Sequence, residues 1–162
     1  MSDLMYTDRE IRDILESTRT IAVVGASANW KRPSYFAMKY LQGKGYRMIP
    51  VNPGQAGKEI LGELCYASLS DIPESVDMVD IFRNSSDAYG VTEEAIEIGA
   101  KTVWMQLAIR NDEAARKAED AGLKVIMDRC PKIEYSRLFG ELGWSGINTG
   151  VITSKRRKAG RR

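Results

Sequence analysis

The sequence predicts an α/β fold: one domain built on a doubly wound parallel sheet of five main strands in the order 3-2-1-4-5. Three observations carry that reading. Apolar, β-branched runs alternate five times with segments whose apolar residues recur at helical spacing, the pattern of repeated strand-helix-strand units joined by right-handed crossovers. The first run, Ile21 to Gly25, holds no polar side chain, as a strand buried on both faces does. The residues that interrupt the runs, namely Gly25, Asn52-Pro53-Gly54, Arg83 and Gln106, fall where strands end, and in such sheets those ends gather along one ligand-binding rim, with a switch point expected between strands one and four.

The first helix starts near Asp8, because Thr7-Asp8-Arg9-Glu10 has the form of a capping box and Tyr6 and Ile11 stand where a hydrophobic staple would put them. Ile11, Ile14, Leu15 and Thr18 give it one apolar face. Ile21 to Gly25 carries no polar side chain and reads as the first strand. Gly25 allows a sharp turn and leaves room for a ligand to approach. Pro33 suits the first position of the next helix, whose missing N–H costs nothing there. That helix shows Ala37, Tyr40 and Leu41 on one stripe and stops at Gly43-Lys44-Gly45. Tyr46 to Val51 is the second strand, and Pro50 within it points to a sheet edge. From Gly57 to Ile72 no period is clear; Ile60 to Glu63 and Tyr66 to Leu69 are expected as short pieces packed under the rim.

Val76 to Arg83 is the third strand, after which Ser85 or Ser86 caps a helix with an Ala88, Val91, Ala95, Ile98 stripe ending at Gly99. Lys101 to Gln106 is the fourth strand. Asn111 caps the next helix, with Asp112 and Glu113 in its first turn and small residues Ala114, Ala118 and Ala121 toward the sheet. Gly122 ends it. Lys124 to Asp128 is the fifth strand, and a last helix is predicted from Pro131 to Leu142.

At 162 residues the chain fits one domain, placed at 1–153, with a basic tail over 154–162 expected to be disordered. Its hydrophobic share of 43% and charged share of 28% are those of a soluble globular protein. No apolar run is long enough to span a bilayer, and Met1 to Tyr6 lacks the parts of a signal peptide, so a cytoplasmic location without membrane contact is expected. Cys65 and Cys130 form no Cys-x-x-Cys pair and are read as reduced thiols, with no metal site. The absence of histidine removes the commonest general base and metal ligand. The net charge of +2 comes from six Lys and Arg residues between 155 and 162; without them 18 basic residues face 22 acidic ones, a net of −4. A mildly acidic body does not suit nucleic acid.

The loop from Gly25 to Ser34 is the centre of the functional reading. Arg32 occupies the helix cap position, where Ser, Thr, Asn or Asp would normally accept the free amides. Read alone, the segment fits either a plain connection or a phosphate cradle assisted by the helix dipole and by Lys31 and Arg32. It lacks both the Gly-x-Gly-x-x-Gly pattern and the Gly-Lys-Ser/Thr ending of a P-loop. The second strand ends in Asn52 instead of the acid that receives a ribose in NAD sites. NADP stays open as an alternative, with Arg47, Lys58 or Arg83 meeting the extra phosphate, and with it an oxidoreductase; no catalytic pair stands out. Arg83 is a cation ending a buried strand, which packing does not explain.

Five segments, GASANWKRPS (25–34), IPVNP (49–53), VDIFRN (79–84), VWMQ (103–106) and DRCP (128–131), together resemble the small stand-alone CoA-binding proteins, which are similar to the CoA-binding domain of the succinyl-CoA synthetase α subunit. The resemblance covers roughly Arg12 to Glu134 and implies a Rossmann-like fold that binds coenzyme A or acyl-CoA. It implies that Gly25, Ala26, Ser27, Ala28, Asn29 and Trp30 hold the pyrophosphate, with Arg32 and Ser34 nearby. Asn52 and Pro53, with Gly54 and Gln55, would lie by the adenosine and its phosphate; Phe82 and Arg83 would flank the nucleotide. Met105, Gln106 and Leu107 would touch the pantetheine arm. Phe82, Trp104 and Leu107 are candidates for an apolar slot. Where the synthetase pattern has a lysine this chain has Gln55, so Lys58 has to reach back. The synthetase's phosphohistidine has no counterpart here, so the expectation is binding without catalysis, with no catalytic residue. Cys130 is open to two readings, an inert buried thiol or a partner for a mixed disulfide with CoA.

Overall fold

The computed structural model describes residues 5–139. In chain order it contains α1 (Asp8–Ser17), β1 (Thr20–Val24), α2 (Pro33–Gly43), β2 (Arg47–Val51), β3 (Glu59–Ile60), β4 (Glu63–Leu64), β5 (Met78–Ile81), α3 (Ser85–Glu97), β6 (Thr102–Met105), α4 (Asp112–Asp120), β7 (Lys124–Ile126) and α5 (Pro131–Leu138). The α/β single-domain fold is the predicted one, with five parallel strands flanked by helices.

The strand order is a correction. The sheet runs β2-β1-β5-β6-β7, so the five main strands stand as 2-1-3-4-5 and not 3-2-1-4-5. The third main strand, β5, crosses back to pair with β1, Ile21 beside Met78 and Val24 beside Ile81. Right-handed crossovers permit both orders, and only contacts between distant segments choose between them. The same change moves β2 from between two strands to the sheet edge, the position to which Pro50 points. The Pro50 carbonyl accepts the N–H of Tyr66 on the outer side, so the N–H that proline lacks would also have faced outward, where no strand needs it.

Strand alternation divides the core into two layers. Ile21, Val23, Met48, Met78 and Trp104 pack with Ile11, Ile14 and Leu15 of α1, Met38 and Leu41 of α2 and Tyr135 of α5. On the other face, Ala22, Val24, Val79, Ile81, Val103 and Met105 meet Ala88 and Ala95 of α3 and Ala114 and Ala118 of α4. The capping box on α1 is present in full: Thr7 Oγ1 accepts the Glu10 N–H and the Glu10 carboxylate accepts the Thr7 N–H.

Two local expectations change. The cap of α3 is Asn84, whose Oδ1 accepts the Asp87 N–H at 3.0 Å; Ser85 instead accepts the Arg110 N–H at 3.0 Å, a link across 25 residues. The short pieces after Gly57 form a hairpin, β3 with β4, turning through Leu61 and Gly62, both at positive φ. The last helix, expected to reach Leu142, ends at Leu138 with Phe139 as its cap; residues 140–142 and the tail over 154–162 lie outside the described residues.

Candidate functional site

The order β2-β1-β5 puts the topological switch point between β1 and β5, and not between the first and fourth main strands as expected. There the chain leaves β1 toward β2 on one side and returns through β5 on the other, the place at which open α/β sheets bind their ligands. Gly25 turns at φ +94°, and a Cβ on it would meet the Phe82 carbonyl. Phe82 in turn donates its N–H to Val24 O at 2.8 Å. The neighbouring backbone, more than a ligand, dictates glycine at this position.

Within the loop the residues divide into braces and free groups. The N–H groups of Gly25 and Ala26 are both spent on Val51 O, at 2.9 and 3.4 Å. Ala26 is fully buried, and its carbonyl accepts Asn52 Nδ2 at 2.8 Å. Asn52 Oδ1 accepts the Gly54 N–H at 2.9 Å, so Asn52 ties the first and second loops together with both ends of its amide. Asn29 folds the middle of the loop: its N–H donates to Ser27 Oγ, its Oδ1 accepts the Lys31 N–H and its carbonyl accepts the Arg32 N–H, each at 3.0 Å. Arg32 caps α2 with no side-chain bond. The amides of Ser27, Ala28, Trp30 and Ser34 have no partner among the described residues. Unpaired amides at a helix start, beside positive charge, are what a phosphate group needs.

The cations stand as follows. Arg32 and Lys58 are exposed and pair with no acid among the described residues, and Lys31 Nζ lies 5.6 Å from the centre of the Trp30 ring. Trp30 itself is 62% exposed. Arg83 has the explanation that the sequence withheld: β5 ends at Ile81, and the Arg83 guanidinium pairs with Asp87 at 3.1 Å. Pro53 lies in a short 3-10 turn with Gly54 and Gln55.

On the β6 side the three predicted residues separate. Met105 is wholly buried in the α3/α4 layer, so its side chain does not face the rim. Trp104 is also buried and donates Nε1–H to Arg129 O at 2.9 Å, a core role and not a slot wall. Gln106 is 8% exposed with a buried Oε1 that accepts no hydrogen bond, and Leu107 is 50% exposed. An orphaned acceptor at a rim is costly unless a donor arrives. Cys130 is buried at the cap of α5 without a capping bond. Burial raises the pKa of the Cys65 thiol.

Sequence reasoning missed Asp80. It lies between Val23 and Trp104 in the register, with no exposed surface and neither carboxylate oxygen bonded. Burial pushes its pKa well above the ordinary value. The signal was an acid inside the apolar run Met78 to Ile81. Among the described residues no group of three or more His, Cys, Asp or Glu could hold a metal, and no helix is long and apolar enough to cross a membrane.

A parallel doubly wound sheet with free amides and cations at its switch point defines a nucleotide-binding class of domain. The CoA-binding domain family matches residues 19–136, and the chain belongs to that family. It is 39% identical to YneT of Bacillus subtilis over 127 residues, 78% of this chain and 93% of that protein. It is 30% identical over 153 residues to acetate–CoA ligase [ADP-forming] II of Archaeoglobus fulgidus, covering 92% of this chain and 22% of the ligase. A solved structure of a protein from Pyrococcus horikoshii OT3 superposes with a TM-score of 0.80 at 41% identity, covering 86% of this chain and 100% of that one. The oxidoreductase alternative gains no support from these relatives.

Proposed function

We propose that the chain binds coenzyme A or an acyl-CoA at the carboxyl rim of its sheet, in the cytoplasm, without itself catalysing a reaction. The observation that carries this is the start of α2, where the Ser27, Ala28, Trp30 and Ser34 amides are unpaired beside Lys31 and Arg32. These groups would hold the pyrophosphate. Asn52 and Pro53 would border the adenosine, with Lys58 close enough in sequence to meet its phosphate. Phe82 and Arg83 would close the other side, and Gln106 and Leu107 would meet the pantetheine arm. Gly25, Ala26 and Asn29 support the site by shaping the loop. The family assignment supports CoA over other nucleotides. Against catalysis stand the absence of histidine and the fact that the Archaeoglobus ligase is matched over 22% of its length.

The test is thermal unfolding with CoA, acetyl-CoA and NADPH. CoA at about 100 times its dissociation constant should add roughly 2.7 kcal/mol of stability, while NADPH should leave the melting temperature unmoved and no thioester should be made or cleaved. A shift with NADPH and none with either CoA compound would overturn the reading.

A further inference from the structure

Two non-glycine residues at the rim hold left-handed backbone conformations, Ala108 at φ 69° and Asp128 at φ 57°. L-residues adopt that region at a cost, and it persists only where the surroundings enforce it. Here each enforces the other. Asp128 Oδ1 accepts the Ala108 N–H at 2.6 Å, and the Asp128 N–H donates to Ile109 O at 3.1 Å. This reciprocal pair closes the loop after β6 onto the loop after β7. The Ile109 N–H returns to Gln106 O at 2.8 Å, and the next residue, Arg110, donates its N–H to Ser85. The loop therefore has fixed points at Gln106, Ala108, Ile109 and Arg110. Leu107 and the Gln106 side chain are left unclaimed, the latter with its buried, unbonded Oε1.

We propose that Asp128 is a positioning residue for ligand recognition: its carboxylate sets the 106–109 loop so that the half-exposed Leu107 is presented to the pantetheine arm. It touches no ligand itself. The proposal rests on the CoA reading above, and it assigns Asp128 to the arm and not to the nucleotide.

The test uses the whole chain and two probes, CoA and adenosine 3′,5′-bisphosphate, which keeps the nucleotide and lacks the arm. Asp128→Gly removes the carboxylate while relieving the left-handed strain, so it separates the hydrogen bond from folding. It should retain the wild-type melting temperature, lose hydrogen-exchange protection at the Ala108 amide, and bind CoA about three to ten times more weakly, the cost of one hydrogen bond. Its affinity for the bisphosphate should stay within about twofold. Asp128→Asn keeps an acceptor and tolerates the conformation, and should restore CoA binding. Unchanged CoA affinity in Asp128→Gly, or an equal loss for both probes, overturns the proposal while leaving the CoA reading intact. If the wild type binds neither probe, the CoA reading itself falls, and this assignment with it.

Discussion

The Phe82 carbonyl oxygen approaches Gly25 so closely that a Cβ on Gly25 would stand 2.5 Å from it, with the Phe82 carbonyl carbon at 3.0 Å. Both are backbone atoms of the adjoining strand end and cannot swing aside. Gly25→Ala should therefore destabilise the fold by about 2–4 kcal/mol, from overpacking and a disfavoured positive φ together. Urea unfolding should show a lower midpoint with an unchanged slope. A loss under about 0.5 kcal/mol would mean that the two loops part easily.

Asp80 predicts the pH dependence of stability. Its folded-state pKa is raised, so across the window above the ordinary aspartate value, about 4, folding takes up a proton. The associated stability is full below that value and is lost as pH rises through the folded pKa, by about 1.4 kcal/mol per pH unit. Asp80→Asn should remove this slope and leave the variant more stable than wild type at pH 8. Parallel stability profiles from pH 4.5 to 8 would refute it.

Arg32 leaves α2 without a side-chain cap. Arg32→Asn supplies one and should raise stability in the absence of ligand by about 0.5–1 kcal/mol. The same change removes a cation and offers the helix amides a competing acceptor, so CoA affinity should fall. Calorimetric titration beside thermal unfolding reads both. A variant that gained stability and kept its affinity would show that these amides do not meet the ligand.

Arg83 is held by Asp87 at 3.1 Å, and both side chains are partly exposed. Such a pair contributes about 0–1 kcal/mol, so Asp87→Asn should cost little stability. It frees Arg83 and removes a negative charge from the rim, and CoA should bind about two to five times more tightly at low salt, with the gain shrinking as salt is added. An unchanged affinity would separate Arg83 from the ligand.

Much of the fold was legible because its signals are local. Thr7 and Glu10 cap each other across three residues, Pro33 begins α2, and Asn111 caps α4 through the Ala114 N–H. The β3–β4 hairpin was not, because its turn uses Leu61 at φ 53° where Asn or Asp would have announced it. Gln42 Nε2 holds that turn by donating to Leu61 O at 3.0 Å, a contact from another element. Asn84 was overlooked as a cap because two serines follow it and each has the right chemistry. Only the distant Arg110 shows that Ser85 is otherwise engaged.

The sequence by itself determined the class of fold, the near-full set of helices and strands, and the family to which five dispersed segments point. These follow from period, capping and turn chemistry, which act over a few residues. Tertiary structure alone decided that β5 pairs with β1, that Gly25 answers to the Phe82 carbonyl, that Met105 and Trp104 belong to opposite layers of the core, and that Asp80 and Gln106 keep buried oxygens without partners. Each depends on which distant backbone lies alongside, and pairing between segments far apart in the chain, such as Ile21 with Met78, leaves no mark in local composition.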